Sequence, residues 1–242
     1  MKLYKGQSTQ DMGRAAAQHG AAVLRASVAQ KGIARALFST GASQFTLFEA
    51  LKEQDVPWDK VVFFHLDEYI GIDEDHNASF ARYLKDRFLQ DIAVKEAHLI
   101  PGKGDPQTII SDITREIRKA PIDLGFIGIG ENAHIAFNDP PANFETKEAF
   151  HVVKLDEGCR RQQVHEGWFE SIEQVPQLAV SATVYQIMQC RTIISCVPGE
   201  RKQQSIKNTL ESDVTNMIPA TILQTHPDWH LFLDDQSSTL LP

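Results

Sequence analysis

The stretch Asp123–Pro141, DLGFIGIGENAHIAFNDPP, decides the predicted fold because it joins an apolar run to a polar loop. The run Leu124–Ile129 ends at Gly130, a pattern typical of a strand buried in a parallel sheet. Pro140 and Pro141 prevent a long helix from following, so the loop is predicted to be irregular. Polar residues just beyond the carboxyl end of such a strand lie where open α/β sheets bind ligands. The stretch therefore predicts an α/β fold with a ligand site at this loop.

Within the loop, His134 is the residue best suited to acid–base chemistry. A lone histidine beside a glycine turn is more often structural than functional. Carboxylate and amide side chains close by in sequence, including Asn132 and Asp139, can fix its tautomer and tune its proton affinity. His134 is therefore the first candidate for a catalytic group.

The spacing Gly128-x-Gly130-x-x-Ala133 matches the glycine pattern of dinucleotide-binding proteins. That pattern requires a helix to begin at its third position. Here Asn-Asp-Pro-Pro follows shortly afterwards, so a nicotinamide or flavin enzyme is disfavoured.

Strand-like and helix-like segments alternate along the rest of the chain, which predicts a largely parallel sheet covered on both faces. The predicted strands are residues 34–38, 61–66, 97–100, 124–129, 150–155, 178–183, 191–197 and 229–233. The predicted helices are residues 11–29, 45–54, 80–92, 108–119, 202–210 and 217–224. A chain of 242 residues can bury one core of this kind, so a single domain of residues 1–242 is expected.

Composition excludes several classes of partner. Charged residues at 23% and hydrophobic residues at 42% are ordinary for a globular protein, and the net charge of −8 argues against nonspecific nucleic-acid binding. No apolar stretch approaches the roughly 20 residues of a membrane span, and the N-terminus lacks the apolar core of a signal peptide. Three cysteines without CxxC spacing favour reduced thiols, so we expect a cytoplasmic protein with no membrane partner.

Two strand ends besides the quoted loop carry polar residues suited to a site. Residues 39–44 form a small polar turn between a predicted strand and helix, which is either an anion site or an ordinary helix cap. Asp67 and Glu68 follow the strand 61–66, and because neighbouring side chains point opposite ways, one of them can face the cleft. Lys202 near a predicted helix start is unfavourable for the helix dipole unless an anion binds there.

The chain resembles the glucosamine-6-phosphate deaminase (isomerase) family, which is related to the 6-phosphogluconolactonases. The resemblance rests on motifs along most of the chain: STGAS, HLDEYIGI, HNASF, GFIGIGENAHIAFNDP, CRRQQ, EGWF and VPGERK. It implies a Rossmann-like three-layer α/β/α fold. It also implies conversion of glucosamine 6-phosphate and water to fructose 6-phosphate and ammonia, a hydrolase-type reaction on an amino-sugar phosphate. A lactonase would be expected to show an Asp-Glu-Arg motif in place of DEY and to lack the FNDP tail.

The resemblance also implies roles for the loop residues. His134 would open the sugar ring, with Asp139 and Asn132 holding it, while Asp67 would move a proton between C2 and C1. Asn132 stands where family members commonly have an acid, and it can only hydrogen-bond and orient. Asp139 stands in place of the usual Glu. No step requires a metal or cofactor, and the nine histidines show no HxxxH spacing.

The substrate's phosphate would serve as a handle that positions the reacting end of the sugar. The residues expected around the substrate and its phosphate are Thr40, Gly41, Ala42, Ser43, Gly130, Lys202 and one of Arg160 and Arg161. Paired arginines such as these two more often form only a solvated face.

Three alternatives to the deaminase remain open from the sequence: a 6-phosphogluconolactonase, an enzyme for another hexosamine 6-phosphate, and a non-catalytic sugar-phosphate sensor. Asn132 is compatible with the sensor, whereas Asp67 and His134 favour an enzyme. A monomer and a homo-oligomer are both open. The chain ends soon after the last predicted strand, so the longer C-terminal segment of allosterically activated members is not expected.

Overall fold

The computed structural model describes residues 1–241, in which ten strands form two sheets. The last residue of the predicted domain, Pro242, lies outside the described residues. The strands are β1 (Lys2–Lys5), β2 (Ala34–Phe38), β3 (Val61–His65), β4 (Asp67–Tyr69), β5 (Glu96–His98), β6 (Leu124–Phe126), β7 (Phe150–Lys154), β8 (Leu178–Ala182), β9 (Thr192–Val197) and β10 (Trp229–Leu233). The larger sheet has the order β1-β10-β9-β6-β2-β3-β5 with every neighbouring pair parallel, and the smaller sheet β4-β8-β7 is antiparallel.

Helices cover both faces of the larger sheet, which confirms the predicted three-layer α/β architecture. They are α1 (Thr9–Lys31), α2 (Phe45–Lys52), α3 (Phe80–Leu84), α4 (Pro106–Ile117), α5 (Glu157–His165), α6 (Val184–Met188) and α7 (Gln203–Glu211). A π turn, Lys85–Leu89, continues α3. Among the described residues, none of these helices is both long and apolar enough to span a membrane.

Local chemistry explains where the longest helix begins and ends. The Ser8 side chain accepts a hydrogen bond from the N–H of Asp11 at the start of α1. Gly32 ends the helix in the left-handed conformation at φ 76° and donates its N–H to the Val28 carbonyl. The predicted helix 11–29 is therefore confirmed and is longer by two residues at each end.

Alternate side chains of the central strands enter two separate cores. Leu37 and Phe64 point into the core that includes α4, whereas Phe38 and Phe63 point into the core that includes α1 and α2. Phe38 and Phe63 stack with ring centroids 4.1 Å apart. Burial on both faces explains why β2 and β3 are apolar throughout rather than alternating.

The switch point of the parallel sheet lies between β2 and β6. From β2 the chain continues to β3 and β5 on one side, and then crosses to β6, β9 and β10 on the other. Ligands of open α/β sheets bind at the carboxyl ends of the strands at such a point. The loop after β6 crosses this position, where the N–H of Gly128 donates to the Ser39 hydroxyl after β2 at 3.2 Å.

The smaller sheet was not predicted from the sequence. The strand segments 150–155 and 178–183 were assigned to the parallel sheet, but they pair with each other and with Asp67–Tyr69 instead. Strand β1 was also missed, and the predicted strand 124–129 ends at Phe126. No helix begins after Gly130 within the described loop, which is consistent with rejection of the dinucleotide pattern.

Candidate active site

A cavity of about 590 Å³ opens at the carboxyl ends of β9, β6, β2 and β3. Its walls come from the turn after β2, the β3–β4 junction, the loop after β6, helix α5 and the turn after β9. The predicted site residues that line it are Thr40, Gly41, Ala42, Ser43, Asp67, Gly130, His134 and Lys202. The cavity therefore lies at the switch point and brings together four segments that are distant in sequence.

Asp67 faces the cavity because it opens β4, where neighbouring side chains point to opposite sides of the strand. The next residue, Glu68, is fully buried on the other side and accepts the backbone N–H of Ala81 at 2.8 Å and the Ser79 hydroxyl at 2.9 Å. Burial, with a smaller contribution from Glu68, raises the pKa of Asp67 to about 8. The sequence left open which carboxylate would face the cleft, and the structure places Asp67 there.

His134 lies between the cavity and two polar neighbours in the same loop. Its Nδ1 atom is 3.1 Å from Asp139 Oδ1, but the two atoms are not aligned for a hydrogen bond in the described structure. Asn132 donates its Nδ2 to Asp139 Oδ1 at 3.0 Å and accepts the backbone N–H of His134 at 3.1 Å. Asn132 and Asp139 do not line the cavity, and they contact His134 from behind.

The ionisation of Asp139 follows from these contacts. Burial would raise the pKa of its carboxyl group, but the imidazole of His134 3.1 Å away and the hydrogen bond from the Asn132 amide lower the pKa overall. A carboxylate beside an imidazole can orient the ring and fix its tautomer. This arrangement suits an imidazole that accepts and donates a proton.

The loop holds His134 in a conformation that few sequences adopt. Ala133 and Ala136 have φ angles of 63° and 51°, which are unfavourable for residues with a Cβ and are characteristic of functional sites. A Cβ added to Gly130 would lie 2.3 Å from His134 Cε1. Gly130 was predicted to contact the substrate, and it does line the cavity, but its N–H already donates to the His134 carbonyl at 2.9 Å.

Gly130→Ala is expected to displace the imidazole and lower kcat by about 100-fold, because an error of about 1 Å in a catalytic group costs that much. Overpacking should also cost about 1–3 kcal/mol in the free energy of unfolding. Steady-state kinetics with urea unfolding measures both quantities. The control is Gly158→Ala, whose added methyl group lies outside the cavity lining in helix α5. A folded Gly130→Ala protein with wild-type kcat would contradict this role.

Two turns of the same design also line the cavity. Gly41 at φ 99° precedes a 3₁₀ turn and α2, and Gly199 at φ 90° precedes a 3₁₀ turn and α7. Each turn presents backbone N–H groups at the start of a helix, which is a common site for anions. Gly199 donates its N–H to Asp234, which also accepts the Thr9 hydroxyl at 2.7 Å, so the second turn is anchored from the amino-terminal helix.

Lys202 is the last residue of the second turn and supplies a cation to the cavity. Burial lowers the pKa of its ammonium group overall, although the nearby carboxylates of Glu166 and Glu131 act in the opposite direction. Arg201 lines the same part of the cavity. An anion bound here would offset the unfavourable position of Lys202 at the start of α7.

The structure does not bring Arg160 or Arg161 to the cavity. The Arg160 guanidinium donates to the carbonyls of Ile172 and Val175, and Arg161 pairs with Glu157 on the surface. The predicted phosphate contact from one of these arginines is therefore not supported. Both residues lie on α5, whose cavity-facing side chains are Gln162 and Gln163, and Glu166 just after the helix lines the cavity as well.

Five further lining residues were not predicted from the sequence: Thr9, Gln162, Gln163, Glu166 and Arg201. Arg201 could have been found from its position in the turn beside Lys202. Thr9 could not have been found in this way, because its hydrogen-bond partner Asp234 is 225 residues away in the chain.

The chain was compared with known proteins. A family model described as "Glucosamine-6-phosphate isomerases/6-phosphogluconolactonase" matches residues 7–231. A glucosamine-6-phosphate deaminase of Exiguobacterium sp. is 35% identical over 202 residues, covering 83% of this chain and 78% of that protein. One from Oenococcus oeni is 30% identical over 227 residues, covering 93% of this chain and 94% of that protein.

Two solved structures show the same architecture. A monomeric glucosamine-6-phosphate deaminase superimposes with a TM-score of 0.91 at 25% identity, covering 99% of this chain and all of that one. A 6-phosphogluconolactonase from Shewanella baltica superimposes with a TM-score of 0.78 at 17% identity, covering 97% of each chain. The second likeness shows the fold alone.

Proposed function

Because the chain belongs to the glucosamine-6-phosphate isomerase/6-phosphogluconolactonase family, we propose that it converts glucosamine 6-phosphate to fructose 6-phosphate and ammonia. The observation that carries the proposal is the meeting of Asp67, His134 and Lys202 in one cavity. A carboxylate, an imidazole and a cation that line one cavity fit an amino sugar with a phosphate tail. A phosphosugar is therefore the proposed substrate.

The first proposed step is ring opening at His134. The substrate is a cyclic hemiacetal, and opening it requires a proton on the ring oxygen and loss of the proton of the anomeric hydroxyl. Imidazole can transfer protons near neutral pH, and Asp139 lies 3.1 Å from the His134 ring and orients it. Asn132 cannot transfer a proton in this step, and its two hydrogen bonds keep the loop and Asp139 in place.

The second step moves a proton from C2 to C1 at Asp67. Removal of the C2 hydrogen gives an enolamine, and protonation at C1 gives an imine at C2. Water then adds to that imine and ammonia leaves. Water enters only in this last step, so the reaction is an isomerisation with deamination rather than a simple hydrolysis. A carboxyl group with a pKa of about 8 can both accept and return a proton, which suits this role.

Lys202→Ala is expected to raise KM for the phosphosugar by about 10–100-fold with a smaller change in kcat, because a charge-assisted hydrogen bond contributes about 1.5–3 kcal/mol. The matched control is Lys207→Ala on the same helix, where the ammonium group is exposed and lies 3.9 Å from Glu211. Steady-state kinetics measures the difference. Equal KM values for both variants, or equal wild-type affinity for glucosamine without phosphate, would contradict a phosphate handle.

The experiment that tests the proposed reaction is a coupled assay of ammonia release. Glucosamine 6-phosphate, galactosamine 6-phosphate and 6-phosphogluconolactone are each incubated with the purified protein at controlled pH. The expected result is one ammonia for each fructose 6-phosphate formed from glucosamine 6-phosphate. Lactone hydrolysis without ammonia release would overturn the proposal, and preference for the galactosamine compound would change the assigned substrate.

The proposed site is complete within one chain, since all the groups assigned a role come from a single copy. The solved deaminase with a TM-score of 0.91 is described as monomeric. We expect full activity per chain at all dilutions.

The three cysteines are free and buried, which suits the cytoplasm as the place of action.

A further inference from the structure

Three different metal-binding groups lie together behind the cavity. One ligand atom each from His134, Asp139 and Cys159 lies within 4.8 Å of the other two. His134 and Asp139 come from the loop after β6, and Cys159 comes from the first turn of α5. No step of the proposed reaction uses the thiol.

Two buried atoms of this cluster, His134 Nδ1 and Asp139 Oδ2, have no well-aligned hydrogen bond among the described residues, although Nδ1 lies 3.1 Å from Asp139 Oδ1. Leaving a buried polar atom unpaired costs about 1–3 kcal/mol, so such atoms are rare and their occurrence requires an explanation. His134 is 9% exposed and Cys159 is 1% exposed, so bulk water does not satisfy these groups. A ligand that accepts a lone pair from each of the three side chains would satisfy them.

The donor set selects one chemical class of ligand. Imidazole, thiolate and carboxylate are the ligands of Zn²⁺, whereas Mg²⁺ and Ca²⁺ prefer oxygen alone. Tetrahedral Zn²⁺ places its ligand atoms roughly 3.3–3.6 Å apart, given metal–ligand bonds of about 2.0–2.3 Å. His134 Nδ1 and Asp139 Oδ1 are already 3.1 Å apart. The thiol sulfur lies within 4.8 Å of the other ligand atoms, so closure requires it to approach them by roughly 1–1.5 Å. The thiol releases its proton as the metal–sulfur bond forms.

We propose that His134, Asp139 and Cys159 form a binding site for Zn²⁺ that inhibits the enzyme. The ion enters from the cavity, because His134 lines it. Three protein ligands leave one coordination position for water or substrate oxygen. Bound metal occupies the lone pair of the imidazole and neutralises Asp139, so His134 no longer transfers protons. The inhibition rests on the proposed deaminase function, whereas the binding does not.

Zinc binding is tested on the full chain by competition with a chromophoric chelator. One equivalent of Zn²⁺ is expected to bind to each chain, whereas Mg²⁺ is not expected to bind. Cys159→Ala should weaken binding by at least about 100-fold, since even the loss of an outer-shell partner costs about 10–100-fold in metal affinity. Cys190→Ala is the matched control, a buried thiol outside the cluster, and it should bind like wild type. No binding, or equal binding by both variants, would overturn the site.

Inhibition gives the second readout. Zn²⁺ should abolish ammonia release by the wild type, a chelator should restore it, and Cys159→Ala should keep its basal activity in the presence of Zn²⁺. Zinc binding by a protein that releases no ammonia would sustain the site and refute the proposed function. If Cys159→Ala does not fold, Co²⁺ is added to the wild type instead. A cobalt–thiolate charge-transfer band in the near ultraviolet is the expected result, and its absence would overturn the proposal.

Discussion

Asp67→Asn is expected to lower kcat by about 10²–10⁴-fold, the usual cost of removing a positioned acid or base. The same substitution is expected to stabilise the fold. Burial raises the pKa of Asp67 from 3.8 to about 8, so the folded state binds a proton that the unfolded state releases. Ionisation of this carboxyl group at higher pH therefore lowers the free energy of unfolding of the wild type. The amide of Asp67→Asn does not ionise and avoids this loss.

The direction in which the stability advantage of Asp67→Asn changes with pH tests this assignment. Between pH 4 and 8 the folded state holds more protons at Asp67 than the unfolded state, so wild-type stability falls as pH rises. The advantage of Asp67→Asn should therefore increase with pH and reach a few kcal/mol at pH 9, on the order of what a shift of this size implies. Urea unfolding at pH 6 and pH 9 measures it, with exposed Asp73→Asn as the control. An advantage that shrinks with pH, or wild-type kcat in the variant, would contradict the assignment.

His134→Gln is expected to lower kcat by about 10²–10⁴-fold with the fold intact. The loss should fall on ring opening, because glutamine cannot carry a proton between the anomeric hydroxyl and the ring oxygen. A substrate deuterated at C2 separates the steps. The wild type should show a primary isotope effect, and the variant should show little, since a slower earlier step then limits turnover.

The matched control for His134→Gln is His165→Gln, an exposed histidine on α5 outside the cavity lining. It should retain wild-type turnover and the wild-type isotope effect. A His134→Gln protein that keeps a full isotope effect while losing turnover would move the role of His134 from ring opening to the proton transfer at C2.

The parallel core could be predicted because each strand carries its own signal. Residues 34–38 and 229–233 were assigned with the observed bounds, since an apolar run between polar turns identifies a buried strand locally. The ends of these strands then predicted the site, because carboxyl ends of parallel strands meet at one edge. Asp67 and His134 follow the predicted strands 61–66 and 124–129, whereas Lys202 was found from its position near a predicted helix start, and all three line the cavity.

The smaller sheet could not be predicted because its pairing is non-local. Asp67–Tyr69 is three residues long and pairs with residues 179–181, more than a hundred positions later. No local pattern distinguishes such a strand from a loop. The error with Arg160 and Arg161 has a similar origin, since the side of α5 that faces the cavity is decided by tertiary packing.

The measurement that tests the central claim most directly is the fate of the C2 hydrogen. Glucosamine 6-phosphate deuterated at C2 is turned over in ordinary water, and the fructose 6-phosphate is examined by NMR for deuterium at C1. If the Asp67 carboxyl group both removes and returns the proton, some deuterium should reach a single C1 position in the wild type, and Asp67→Asn should form no such product. Deuterium at both C1 positions, or label transfer that survives in Asp67→Asn, would contradict the account.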